Sequence, residues 1–304
     1  MVISALGMAT LLLALTPKPA PTATKALTVV AAGDIACDAQ TKRADPDDAS
    51  PVACHMGATA QLIASAHPDL VLPLGDEQYQ VGALSAFQTM YAKTWGKFLN
   101  ITRPVPGNHE YETPHAAGYF VYFSARAGDP AKGYYSFDRG GWHFIAINAN
   151  CGDIGGCNRG SAQEQWLKSD LARRNHGCIL AYWHQPRFSS GHHHSDPTYT
   201  AFWEDLYAAK ADVVLNGHDH LYERFGPQTP TGGADPRNGV REFIAGTGGR
   251  SHYVFTKIEP NSEVRNNTTF GILILHLREG SYDWTFKPEA GKSFTDRGAA
   301  QCHS

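Results

Sequence analysis

The sequence predicts an α/β fold of two packed sheets with helices outside them. Three observations carry this expectation. Apolar runs alternate with helical repeats over the first two-thirds of the 304 residues, and the last third holds apolar runs with no helical repeat between them. Hydrophobic residues make up 42% of the chain, enough for a large shared core. Five apolar runs stop at a residue able to bind a metal, four of them through a glycine: Gly33-Asp34, Gly75-Asp76, Gly107-Asn108, Gly217-His218 and, directly after Trp183, His184. Ligands of open α/β sheets sit at the carboxyl edge of the strands, so a series of such stops describes one edge better than five unrelated turns.

The elements follow in order. Ala26 to Ala32 reads as a buried strand, Thr59 to Ala66 as a short helix, and Leu70 to Leu74 as a second strand. Phe87, Tyr91, Trp95 and Phe98 recur at helical spacing and predict a helix over Ala83 to Leu99. The run Ile101 to Val105 leads into Pro106-Gly107-Asn108-His109. Tyr134 to Phe137 and Trp142 to Ile147 flank Gly140-Gly141, a hairpin signal. Ser161-Ala-Gln-Glu164 reads as a capping box opening a helix through Leu171. Ile179 to Trp183, Val213 to Leu215, Phe243 to Ala245, Gly271 to Leu277 and Tyr282 to Phe286 complete the strands. No internal repeat and no linker interrupts the chain after residue 26, so residues 27–304 are expected to form one domain.

Residues 1–26 differ from the rest. Ile3 to Leu15 is apolar but too short to span a bilayer, and Pro17 to Ala26 is rich in Pro, Ala and Thr. The pattern predicts a secretory signal peptide and spacer, although no Lys or Arg precedes the apolar run. No Cys follows that run and no other segment could cross a membrane, so the expectation is a secreted or periplasmic protein without stable membrane association. Six cysteines fit an oxidising compartment and allow fifteen pairings. Cys151 and Cys157 could close a Gly-rich loop, and Cys37 and Cys54 a polar one from Ala39 to Val52; Cys178 would then be left with Cys302. Six buried free thiols are the other reading. The formal net charge is −3 with no basic stripe, which argues against a nucleic-acid partner.

Fifteen histidines is a high number, and His109, His184, His192, His193, His194, His218 and His220 fall in or near the strand-end motifs. With Asp34, Asp76, Asn108 and Tyr79, the histidines His184, His218 and His220 make seven candidate metal ligands, more than one tetrahedral zinc requires. They suit two metal ions bridged by a carboxylate. Such pairs, about 3.5–4 Å apart, clamp in-line displacement at phosphorus and lower the pKa of a bound water from 15.7 to about 7, which supplies hydroxide for attack.

The order of these motifs, from about Val29 to Phe225, resembles that of the calcineurin-like metallophosphoesterases and, within them, the purple acid phosphatases. The resemblance implies a four-layer αββα sandwich of two mixed sheets flanked by helices, with a catalytic domain over 27–304 and without the N-terminal β-sandwich of larger members. It implies a first metal held by Asp34, Asp76, Tyr79 and His220, and a second by Asp76, Asn108, His184 and His218, with Asp76 bridging. Most of the superfamily carry a ligand His where this chain has Ala36. Tyr79 takes the place of the phenolate found in purple acid phosphatases, a hard anionic donor suited to Fe(III); the second metal would be divalent Zn, Mn or Fe. His109 would orient phosphate or protonate the leaving oxygen. The family's further histidines, nine and ten residues after the lone His ligand, correspond to His193 and His194, with His192 adjacent and the register open by one. Tyr222-Glu223-Arg224 also matches, with structural support the favoured role.

The resulting expectation is a secreted, binuclear metal-dependent phosphatase acting on small phosphate monoesters. Two alternatives stand beside it: a phosphodiesterase or nucleotide hydrolase on the same metal core, and an exported phosphate- or metal-binding protein without turnover. The sequence leaves the oligomeric state open.

Overall fold

The computed structural model describes residues 1–3, 25–38, 54–173 and 177–303. The expected signal peptide falls mainly on residues 4–24 and the polar loop on residues 39–53, both outside the described residues. In chain order the described elements are β1 (Leu27–Ala32), α1 (Met56–Ala66), β2 (Leu70–Pro73), α2 (Leu84–Thr89), α3 (Asn108–Tyr111), α4 (Ala117–Phe123), β3 (Tyr135–Arg139), β4 (Trp142–Ala146), α5 (Ala162–Ala172), β5 (Cys178–Tyr182), α6 (Thr200–Ala208), β6 (Val213–Asn216), β7 (Tyr222–Phe225), β8 (Arg241–Ala245), β9 (Ser262–Asn266), β10 (Gly271–Arg278), β11 (Ser281–Pro288) and β12 (Arg297–Gln301).

The central strands are continuous apolar runs because both of their faces are buried. In β1, Val29 and Ala31 face a core shared with Leu180 and Tyr182 of β5, whereas Val30 and Ala32 face Ile63 of α1 and Phe87 of α2. In β5, Leu180 and Tyr182 point into that shared core, and Ile179 and Ala181 point outward against Leu167 of α5 and Trp203 of α6. The layers are therefore helices, sheet, sheet, helices. One sheet runs β12-β11-β10-β1-β2 and the other β3-β4-β5-β6-β8-β7-β9. Both are mixed: β1 and β2 are parallel while β1 and β10 are antiparallel, and β4, β5, β6 and β8 are parallel inside antiparallel edges. No helix among the described residues is long and apolar enough to cross a membrane.

Most expected elements fall within a few residues of their places. At the hairpin, Gly140 and Gly141 have φ of 59° and 80°, the left-handed pair that a two-residue turn between twisted strands requires. Ser161 caps α5 by accepting from Glu164 N, but the Glu164 carboxylate reaches Gly160 N instead of completing the box on Ser161. The long helix over Ala83 to Leu99 does not form. After α2 the chain breaks into 3₁₀ turns at Tyr91–Lys93 and Trp95–Ile101. Tyr91 N donates to the Gln78 side chain at 3.2 Å, a bond that replaces the one a continuous helix would make. The run Ile101 to Val105 lies along β2, with Arg103 N on Val71 O and Val105 N on Pro73 O. Pro104 and Pro106 lack the donors to extend that ladder, so only an isolated bridge, Val71 to Thr102, results.

All six cysteines are paired: Cys37–Cys54, Cys151–Cys157 and Cys178–Cys302. The last bridge ties the strand before His184 to the end of β12 across 124 residues. Replacing Cys178 and Cys302 together with Ser should lower the unfolding free energy by about 2–5 kcal/mol. An unchanged denaturation midpoint would show that strand pairing alone holds β12.

Candidate metal centre

The parallel strands of both sheets bring their carboxyl ends to one place. Gly33 N donates to Ala245 O at 2.9 Å, joining the ends of β1 and β8 across the two sheets. His184, just past β5, donates from Nδ1 to Leu74 O beyond β2 at 2.8 Å. The chain then turns sharply to aim each side chain: Asp34, Asp76 and His218 have φ of 60°, 49° and 70°. Left-handed backbone costs of order 1–3 kcal/mol at a non-glycine residue and gathers at functional sites. The preceding glycines give the room. Gly75 has φ of 87°, and a Cβ there would lie 2.6 Å from the His184 ring; one at Gly107 would lie 2.0 Å from Asp76 Oδ1.

Six of the seven candidate ligands make direct contacts with one another. The Tyr79 hydroxyl lies 2.9 Å from Asp34 Oδ1, 3.0 Å from Asp76 Oδ2 and 2.9 Å from His220 Nε2. One O–H cannot donate to both carboxylates at once, whereas a cation can be shared by all of these atoms. Asp76 Oδ2 is also 3.1 Å from His184 Nε2, whose other neighbour is His218 Nδ1 at 3.3 Å. Donor atoms of Asp76, His184 and His218 all fall within 4.8 Å of one another. The seventh, Asn108, has a buried Oδ1 without a hydrogen-bond partner. Such an orphan calls for an explanation in a native site, and a metal supplies one. The residues therefore fit two cations with Asp76 between them.

Burial, followed by the Asp34 and Asp76 carboxylates, pushes the Tyr79 phenol well above its ordinary pKa. Burial also works against ionised Asp76, but His184 and His109 outweigh it and hold the carboxyl below the usual range. Burial alone would push His184 down, yet Asp76 carries it up to about 9. A proton held there must leave when a metal binds, which links metal uptake to pH. Burial and the neighbouring His184 and His193 push His218 well down.

The three candidate catalytic histidines are placed differently. His109 Nδ1 donates to Gln80 O at 2.5 Å, leaving Nε2 as the atom 3.8 Å from Asp76 Oδ2. The His193 ring stacks on the ligand candidate His218, with centroids 4.1 Å apart. His194 turns elsewhere: its Nδ1 faces Thr256 Oγ1 at 3.1 Å.

Several supporting residues were given no role by the sequence reading. Glu110 accepts from the backbone N–H groups of Asp76, Gln78 and Gly107, tying two motifs together. Burial and then Asp76 push it up to about 7 against those bonds. Tyr79 N donates to Ala36 O at 2.8 Å, so Ala36 anchors the tyrosine. The segment after β8 straps the Tyr79 side. Arg250 lies over the Tyr79 ring at 5.2 Å, Ser251 Oγ meets His220 Nδ1 at 2.5 Å, and Tyr253 stacks on His220 at 4.0 Å. The signal was present: Ala245-Gly246 is another strand that stops at glycine.

A fold of two mixed sheets flanked by helices, with Asp, Asn, His and Tyr donors gathered at their shared carboxyl edge, defines a metallophosphoesterase. The chain belongs to the calcineurin-like phosphoesterase family, whose profile matches residues 27–222. The curated relatives are purple acid phosphatases. Purple acid phosphatase 15 of Arabidopsis thaliana is 31% identical over 194 residues, covering 52% of this chain and 36% of the relative. Purple acid phosphatase 18 of the same plant is 31% identical over 215 residues, covering 62% and 48%. The chain thus spans less than half the length of either. Among solved structures, purple acid phosphatase PPD1 from yellow lupin (Lupinus luteus) seeds superposes with a TM-score of 0.76 at 18% identity, over 94% of this chain and 55% of that one. GAP50, the anchor in the inner membrane complex of Plasmodium, superposes with a TM-score of 0.64 at 14% identity, over 92% and 90%. These two structural likenesses concern the fold. The family carries a binuclear metal centre.

Asp76→Asn should test the bridge. Loss of its charge removes the attraction that offsets repulsion between two close cations, so the variant should hold clearly fewer than two metals per chain by elemental analysis. Full occupancy of both sites in that variant would show that another residue bridges them.

Proposed function

We propose that this chain is an exported phosphatase that hydrolyses small phosphate monoesters at a two-metal centre, with residues 1–26 as signal and spacer and 27–304 as one catalytic domain. The observation that carries the reading is the single phenol hydroxyl shared by Asp34, Asp76 and His220 beside the Asp76–His184–His218 cluster. Asp34, Asp76, Tyr79 and His220 would hold the first metal. A phenolate is a hard anionic donor, which favours Fe(III) there. Asp76, Asn108, His184 and His218 would hold a divalent second metal, Zn, Mn or Fe. When bound, the pair supplies Lewis acidity that activates water and neutralises charge on the phosphoryl group.

The chain's own residues orient the rest. Leu74 O fixes the His184 tautomer by accepting from Nδ1, and Ser251 steadies His220. His109, pinned through Nδ1 to Gln80, presents Nε2 on the metal side; we assign it to phosphate orientation and proton donation to the leaving oxygen. Of the histidine run, His193 suits contact with substrate, and His194 supports the loop through Thr256.

The deciding assay is hydrolysis of p-nitrophenyl phosphate against its bis ester, together with metal analysis and a visible spectrum. The expected outcome is preference for the monoester and a broad visible band that Tyr79→Phe abolishes. Preference for the bis ester would make the protein a phosphodiesterase, and metal-loaded protein inert on both esters would favour binding without turnover. A colourless active enzyme would remove iron while sparing the phosphatase.

His109→Ala should retain both metals while kcat falls, by roughly 10²–10⁴-fold if proton donation is lost. The loss should be smaller for p-nitrophenyl phosphate than for an alkyl phosphate, because nitrophenolate departs without much help. Equal losses on both substrates would reduce His109 to a positioning role.

A further inference from the structure

One buried carboxylate beside the centre belongs to neither ligand set. Asp219 stands between His218 and His220 and is fully buried. Its Oδ1 accepts from His193 N at 3.0 Å, and its Oδ2 accepts from the Ser189 hydroxyl. That hydroxyl in turn accepts from Gly191 N at 2.9 Å. The loop passes so close that a Cβ at Gly191 would lie 2.5 Å from the Asp219 carboxyl carbon. The same loop is tied down independently nearby. Ser190 donates through its N–H and hydroxyl to Glu223, at 2.9 and 2.5 Å, and Thr256 donates through its hydroxyl to Gly191 O at 2.8 Å.

We propose that Asp219 is a positioning residue, which fastens the Ser189–His194 loop to the His218–His220 turn and so sets His193 beside the metal donors. The geometry has a direct consequence. Asp219 shares the three-residue His218–His220 turn with two ligand candidates, so the His193 backbone is referenced to that turn as well as to the loop's other ties. The Asp219 carboxyl itself is fully buried, and its two oxygens are each taken by the loop, one by His193 N and one by the Ser189 hydroxyl. The His193 ring then stacks on His218 at an interplanar angle of 28°. Misplacing a reacting or orienting group by about 1 Å can cost about 10²-fold in rate, and without Asp219 the His193 backbone would lose its direct tie to the His218–His220 turn.

The inference rests on the phosphatase reading, and its test separates the two. Full-length, metal-loaded protein carrying Asp219→Ala, Asp219→Asn, His193→Ala and the pair Asp219→Ala/His193→Ala would be assayed on p-nitrophenyl phosphate. Metal content and thermal unfolding would be followed alongside. Asp219→Ala and His193→Ala should each lower kcat by about 10²-fold with both metals retained and KM moving less than kcat. Asp219→Asn should recover most of the loss, because its carbonyl oxygen can still accept from His193 N. The double variant should be no slower than His193→Ala alone, since the two residues act as one unit. Losses that multiply in the double variant overturn the inference, as does loss of metal in step with activity in Asp219→Ala. If Asp219→Ala does not fold, Ser189→Ala paired with His193→Ala takes its place in the cycle with the same expectation. A wild-type protein that binds both metals but hydrolyses no phosphate ester overturns the phosphatase reading and this inference together. An active wild type with multiplying losses overturns the inference alone.

Discussion

Two carboxylates, Asp34 and Asp76, are buried within reach of the same phenol hydroxyl. Among the described residues their ion-pair partners are histidines: His220 for Asp34, and His109 and His184 for Asp76. Burying a charge without a partner is costly enough that a group usually neutralises instead. Here the burial is shared by two acids that sit among imidazoles and a phenol, so a pair of cations would resolve what the histidines meet only in part. The rest of the edge serves this constraint. The left-handed turns at Asp34, Asp76 and His218 strain the backbone locally, the glycines before them make the room, and Glu110 holds the backbone of Asp76 and Gly107; each brings a donor closer to the shared centre.

The fold can bear that cost because the strands beneath are buried on both faces. Val29 and Val30 on β1, or Ile179 and Leu180 on β5, contribute to different apolar layers, so displacing a strand end would disturb both at once. The two sheets also bond to each other at the site. Gly248 N donates to Gly33 O at 2.8 Å, the counterpart of the Gly33–Ala245 bond. Metal donors from different sheets are therefore held in one frame by backbone hydrogen bonds as well as by side-chain contacts.

This explains which parts were legible in the sequence. A strand that ends in glycine and a donor is a local event, so the five stops, the ligand candidates and the central strands could be read in order. The supports were harder because they come from distant segments. His184 is oriented by Leu74 O and His220 by Ser251, and neither partner carries a motif. The helix expected over Ala83 to Leu99 breaks where the Gln78 side chain takes the Tyr91 N–H, a tertiary contact that no helical period reveals. Strand β12, Arg297–Gln301, is mostly polar or small and forms through pairing with β11. The histidine run shows the same limit. Residue counting left its register open, whereas the distinction between His193 and His194 is drawn by Asp219 and Thr256, at separations of 26 and 62 residues.

The two halves of the centre also differ in access. Asp34, Tyr79 and His220 are 0%, 2% and 3% exposed, and the strap formed by Arg250, Ser251 and Tyr253 covers that side. Asn108 and His218 are only partly buried, and the His109 and His193 side chains border them nearer to solvent. A small anion arriving from solvent therefore meets His109, Asn108, His193 and His218 before it meets Tyr79. The asymmetry lies in the side chains as much as in the shape: Asp34, Tyr79 and His220 line the covered half, whereas the partly buried residues of the other half, Asn108 and His218, offer an amide and an imidazole.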